Sequence, residues 1–141
     1  MERLAKVGAR DEGIRALAVD LAPGGPADIR AWIVSRFQFV RDPSGVELLK
    51  SPAYMLGERD RTGRIAGDCD DAAILGAAIA LATGYRVRWV LLGFTPGAPF
   101  KHVFAEAAPT AAGPWTDFDV TKPAQFPAGL RAHRRLVILI R

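Results

Sequence analysis

The pattern of hydrophobic and polar positions changes period once along the chain, near Gly84. Before it, Ile14, Leu17, Ala18 and Leu21 recur at helical spacing ahead of the Pro23-Gly24-Gly25 break, and Ile29, Trp32, Ile33 and Phe37 recur after it. Two short helices are expected. The second opens at Gly25 or Pro26, where proline suits the first helical position, and runs out near Gln38. From Arg41 to Gly67 the pattern breaks up at Asp42-Pro43, Ser51-Pro52 and Gly57, then enters the polar stretch Glu58 to Arg64. This predicts a long ordered loop with one helical turn around Val46 to Leu49, and loops this long are often functional.

The best-marked element is a helix from Cys69 to Thr83. Asp68 stands at the N-cap position, Asp71 three residues later takes the place of a short capping box, and Gly84 is the stop. Ala72, Leu75, Ile79 and Ala82 form one apolar stripe, Ile74, Ala78 and Leu81 a second, and the rest is small. A helix apolar nearly all round is a buried one.

After Gly84 the period is that of strands: Tyr85 to Phe94, Phe100 to Ala107, Trp115 to Thr121 and Leu136 to Ile140, separated by turn residues. Helices followed by consecutive strands read as an α+β fold with a mostly antiparallel sheet. Residues 1–141 are expected to form a single domain, the commonest size for one.

Composition narrows the classes of function. Half of the residues are hydrophobic and 24% are charged, which is globular rather than disordered usage. The 19 basic and 15 acidic residues give a formal +4, but the arginines are scattered, so no nucleic-acid partner is expected. Acidic residues interrupt the N-terminal apolar positions and no apolar run is long enough to span a bilayer. A soluble, cytoplasmic protein with no membrane partner is expected. One cysteine allows neither an intramolecular disulfide nor an all-thiolate zinc site, so packing or reactivity is left to Cys69.

Cys69 falls in the first turn of the buried helix, where unpaired N–H groups and the positive dipole end favour a thiolate. Asp68, Asp70 and Asp71 oppose that charge. His102 shares a strand face with Phe100, Phe104 and Glu106, while Trp115, Asp117, Asp119 and Thr121 share a face of the next strand. In a hairpin pairing Glu106 with Trp115, His102 falls opposite Asp119; a two-residue slip would bring Asp117 there instead. A helix-tip cysteine with a cross-strand His–Asp pair makes a set of nucleophile, base and orienter.

Gly67-Asp68-Cys69-Asp70-Asp71 before an Ala-rich helix, His102-Val103-Phe104-Ala105-Glu106, and Trp115-Thr116-Asp117-Phe118-Asp119-Val120-Thr121 resemble the three motif blocks of the transglutaminase-like superfamily, in order and spacing. The resemblance implies Cys69 as nucleophile and His102 as base. The Trp-x-x-apolar-Asp-Pro-Thr pattern of the third block picks Asp119, with Val120 standing where proline is usual. It implies a papain-like fold, the cysteine helix packed on an antiparallel sheet, and is similar to compact single-domain proteins of bacteria and tailed phages. A virion-associated location goes with a phage origin.

The implied activity is acyl transfer on a peptide, amide or ester substrate, as a cysteine peptidase, amidase or transglutaminase-like enzyme, with no metal and no cofactor. The Cys69 backbone N–H is the first oxyanion donor expected, with Tyr54, Gln38 or Trp32 as candidates for the second. The competing reading is a catalytically inactive binding or phage assembly module of the same fold. A hard-cation site at Asp68, Asp70 and Asp71 is disfavoured because calcium-loop spacing is absent, and capping is preferred for Asp68 and Asp71. Trp32, Trp89 and Trp115 are read as core or pocket-wall residues, and His133 as a solvated residue before the last strand.

Overall fold

The computed structural model describes all 141 residues. Its centre is the helix predicted from Cys69, which runs Cys69–Ala82 and is here α5 after four shorter helices: α1 (Glu2–Gly8), α2 (Glu12–Leu21), α3 (Gly25–Arg36) and α4 (Pro52–Thr62). Residues Asp70 to Ala80 are buried on every side, as expected of a helix with no polar face. Gly84, at φ 84°, stops the helix in the left-handed conformation, and the bonds Tyr85 N–H to Ala80 O and Gly84 N–H to Leu81 O close a Schellman end.

Helices α1, α2 and α3 pack on one side of α5 and a sheet packs on the other. That sheet has the order β5-β4-β3-β6, all antiparallel, from β3 (Arg86–Gly93), β4 (His102–Ala108), β5 (Thr116–Asp117) and β6 (Arg134–Leu139). Val87, Trp89, Ala105 and Ala107 join the α5 core, while Val90, Leu92 and Phe104 form a smaller cluster of their own. β6 is an edge strand with Leu136 to Leu139 exposed, and His133 is exposed just before it. No helix is long and apolar enough to cross a membrane.

Close packing onto α5 depends on its small residues. A Cβ added at Gly76 would lie 2.8 Å from the Phe118 ring and 3.2 Å from Ile33. Glycine there lets Phe118, fully buried, seat directly on the helix.

Four expectations are corrected. A short α1 precedes the two expected N-terminal helices. The segment read as a loop from Arg41 to Gly67 contains α4 and β2 (Ile65–Gly67), and there is no helical turn at Val46 to Leu49. The α4 ends carry ordinary signals that Gly57 and the charged residues mask: Ser51 accepts the Tyr54 N–H, Pro52 opens the first turn, and Gly63 closes at φ 78°. β2 pairs in parallel with β1 (Phe37–Phe39), a contact between distant segments that local pattern does not reveal. The strand expected from Trp115 to Thr121 is only two residues long, and its register places Glu106 opposite Asp117 rather than opposite Trp115.

Candidate active site

β2 delivers the chain to the tip of α5. Gly67 ends the strand, Asp68 is extended, and Cys69 is the first helical residue, with a free and half-buried thiol. The Phe118 N–H bonds to Ala105 O, so the backbone groups of odd-numbered β4 residues point toward β5. Because β5 stops at Asp117, Val103 has no strand partner on that side, and its N–H faces Cys69 instead. The side-chain amide of Gln125 also faces the sulfur.

Burial pushes the Cys69 thiol up from 9.0 to about 11. The Val103 N–H acts against the rise, the Asp68 and Asp70 carboxylates add to it, and Gln125 acts against it. The resting residue is therefore a thiol at neutral pH, despite its place at a helix N-terminus. Of the repulsion foreseen from Asp68, Asp70 and Asp71, that of the first two acts on the thiol, and desolvation exceeds it.

His102 opens β4 with its side chain fully buried. Its Nε2 lies 2.8 Å from Asp119 Oδ1. A carboxylate only accepts, so Nε2 carries the proton and Nδ1 presents a lone pair. Nδ1 is buried and makes no hydrogen bond. The Phe126 ring meets the imidazole edge-on at 5.4 Å, and the Phe104 ring lies 5.9 Å away. His102 and Cys69 line the same cavity, although no hydrogen bond joins Sγ to the imidazole.

Asp119 reaches His102 without being its strand partner. Phe118, anchored on α5 and bonded to Ala105, turns the chain; the Asp119 N–H then bonds to Asp117 Oδ1 at 3.2 Å. The Lys122 N–H, opening α6 (Lys122–Gln125), donates to Asp119 Oδ1 at 3.2 Å. Asp119 thus has two donors, whereas Asp117 is half-exposed and lies 3.6 Å from Arg30.

Asp68, Asp70 and Asp71 bring three carboxylate oxygens within 4.8 Å of one another. The capping expected of Asp68 is absent: it occupies the N-cap position, but its side chain makes no capping bond. Its carboxylate acts on Asp70 instead, and Asp71 accepts the Lys50 N–H at 2.8 Å while facing the Asp68 N–H. Burial, then hydrogen bonding and repulsion from Asp68, push Asp70 up to about 8; burial also raises Asp71. Carboxylates suit a hard cation, but the positive end of α5 opposes one at this place.

The cavity over Cys69 and His102 measures about 480 Å³. Trp89, Leu91, Phe100, Val103 and Ile138 give it an apolar wall, with Glu47, Asp70 and Lys101 as its charged lining. Trp89 is thus both core and pocket wall, Trp32 packs on the core beneath Arg59, and Trp115 lies beneath Arg88. Tyr54, Gln38 and Trp32 do not line the cavity. Sequence reasoning missed Gln125 and the Val103 N–H. Gln125 lies outside the three motif blocks, and Val103, inside the second, acts through its backbone.

No family model and no curated protein matches this chain. Among solved structures it is similar to a protein of Cytophaga hutchinsonii described as a "putative cysteine protease", with a TM-score of 0.54 and 21% identity. The match covers 92% of this chain and 41% of that one, so the chain spans about two-fifths of the Cytophaga protein. The likeness is one of fold: the helices and antiparallel sheet described above follow the fold of that protein.

Proposed function

We propose that the protein is a thiol-dependent acyl-transfer enzyme of the transglutaminase-like kind, with Cys69 as nucleophile, His102 as general base and Asp119 as the residue that orients the base. The observation that carries this reading is the buried imidazole itself. Asp119 holds Nε2, Nδ1 is buried without a hydrogen-bond partner, and His102 and Cys69 line one cavity.

With the thiol raised to about 11, His102 works as a base during attack and not through a standing thiolate–imidazolium pair. Nδ1 takes the thiol proton as the sulfur meets a peptide, amide or ester carbonyl. The Asp119 carboxylate stabilises the imidazolium and keeps the tautomer. The apolar wall of the cavity suits an acyl group with an apolar side chain. The Cytophaga protein's description as a cysteine protease supports this class of chemistry. A thiol-directed acyl probe, offered to wild type and to Cys69→Ala, tests it: labelling of the wild type alone is expected, and equal labelling of both contradicts it.

The raised thiol and the missing Sγ–imidazole bond favour a second reading, an inactive binding or assembly module on the same fold. Alkylation near neutral pH separates the two. In an enzyme Cys69 reacts faster folded than denatured; in an inert module the order is reversed.

A further inference from the structure

β6 is paired on one side only, with β3. The Ile140 N–H bonds to Val87 O, so the even-numbered backbone groups of β6 face β3, and those of Arg135, Val137 and Leu139 face outward without a strand partner. Sheets blunt such an edge with charge, proline or a bulge. Here Leu136, Val137, Ile138 and Leu139 are four apolar residues in a row, each 38–47% exposed.

This edge is continuous with the cavity over Cys69. Leu136 and Ile138 lie opposite Leu91 and Trp89 and share their face of the sheet, and Ile138 lines the cavity with them. Val103 lines the same cavity from β4, two strands away. Two strand spacings are about 10 Å, which an extended chain crosses in about three residues.

We propose that the substrate of this site is a polypeptide docked on β6 as an added strand, through an extended apolar segment with acidic residues at its ends. This rests on the acyl-transfer reading above. Backbone bonds to Arg135, Val137 and Leu139 hold the segment, and the chain beyond it enters the cavity over Ile138. Charge selects the occupant. Arg134 stacks on the Phe100 ring and donates to Ala98 O, neither of which neutralises it, and Arg135 shares the one Glu106 carboxylate with Arg88. A second copy paired about Val137 would bring Arg134 and Arg135 of each chain toward Arg141 of the other, like charge against like. Acidic residues at the ends of a docked segment meet these arginines instead.

Fluorescence anisotropy on Cys69→Ala reads docking without chemistry. The probe is a labelled nonapeptide of alternating valine and threonine with two glutamates at each end. Saturable binding is expected, weakened about tenfold or more when Val137→Pro is added, since this removes an outward N–H and leaves the β3 bonds in place. Methyl groups on the central peptide nitrogens should weaken it likewise, a test that leaves the protein's fold untouched, and so should lysines in place of the glutamates. Absent binding, or a methylated or lysine peptide that binds as well as the first, overturns the proposal. A dimer in sedimentation that Val137→Pro abolishes gives the edge to a second copy and overturns it too. Carried on a three-residue extension of the peptide, a p-nitrophenyl ester should acylate wild-type Cys69 about tenfold or more faster than p-nitrophenyl acetate, an advantage lost in Val137→Pro. Equal rates overturn the substrate assignment. A Cys69 that neither ester acylates, in a protein that still binds the peptide, overturns the acyl-transfer reading and leaves the docking edge standing.

Discussion

His102 Nε2 lies 2.8 Å from Asp119 Oδ1 although the two residues are not cross-strand partners. In the register of β5 a longer strand would set Thr121 opposite His102; the strand stops at Asp117 instead, and Asp119 approaches the imidazole from the segment that follows Phe118. Early termination of β5 has a second consequence, since it leaves the Val103 N–H to Cys69. One short strand thus shapes both ends of the site.

Asp119 and Asp117 should therefore differ sharply on substitution. Asp119→Asn removes the charge that stabilises imidazolium and replaces one of the two carboxylate oxygens with an N–H donor that favours the wrong tautomer, and the acylation rate is expected to fall by up to about 10⁴-fold with the fold intact. Asp117→Asn keeps an oxygen for the Asp119 N–H and loses only a half-exposed ion pair with Arg30, so its rate should stay within a few-fold of wild type. Single-turnover acylation of both variants checks the ranking.

The packing of Phe118 on Gly76 can be measured by unfolding. Phe118→Ala leaves a cavity against α5 and is expected to destabilise by about 3–5 kcal/mol. Gly76→Ala pushes a methyl group into the ring, at about 1–3 kcal/mol. In the double variant the methyl group enters space the ring has left, so the combined loss should be smaller than the sum in urea titrations.

Asp70 gives stability a pH dependence of definite sign. Its carboxyl holds a proton up to about 8 in the folded protein, against 3.8 ordinarily. Its contribution is complete below pH ~4 and is lost as pH rises through ~8, because the unfolded chain ionises first. Asp70→Asn should flatten the urea midpoint across that window and raise it above pH 8. The same substitution removes a charge that raises the Cys69 thiol, so alkylation above pH 8 should be faster in the variant.

The central helix, its cysteine and its glycine stop were legible in the sequence because a continuous apolar stretch with marked ends admits few alternatives. The faces of β4 were legible for the same reason, since alternation places His102 with Phe104 and Glu106. Asp119 was reached through the third motif block, while the hairpin register that also pointed to it was wrong by two residues. Register depends on where the chain turns, and Phe118 turns it by packing on Gly76, a tertiary contact invisible to local pattern. α4 was missed because charge and Gly57 hide its one buried face of Met55 and Leu56. Gln125 was missed because a lone glutamine in a Pro-rich stretch carries no signal until the fold brings it to the sulfur.

The central claim is that a neutral Cys69 thiol attacks with His102 as its base. Intact-mass measurement of ester acylation at pH 7, in wild type and His102→Ala, tests it most directly. The account predicts one acyl group on wild-type Cys69, removed by hydroxylamine, and a rate about 10²–10⁴-fold lower in His102→Ala. Acylation of His102→Ala as fast as wild type, or a wild-type Cys69 that stays unmodified, would contradict it.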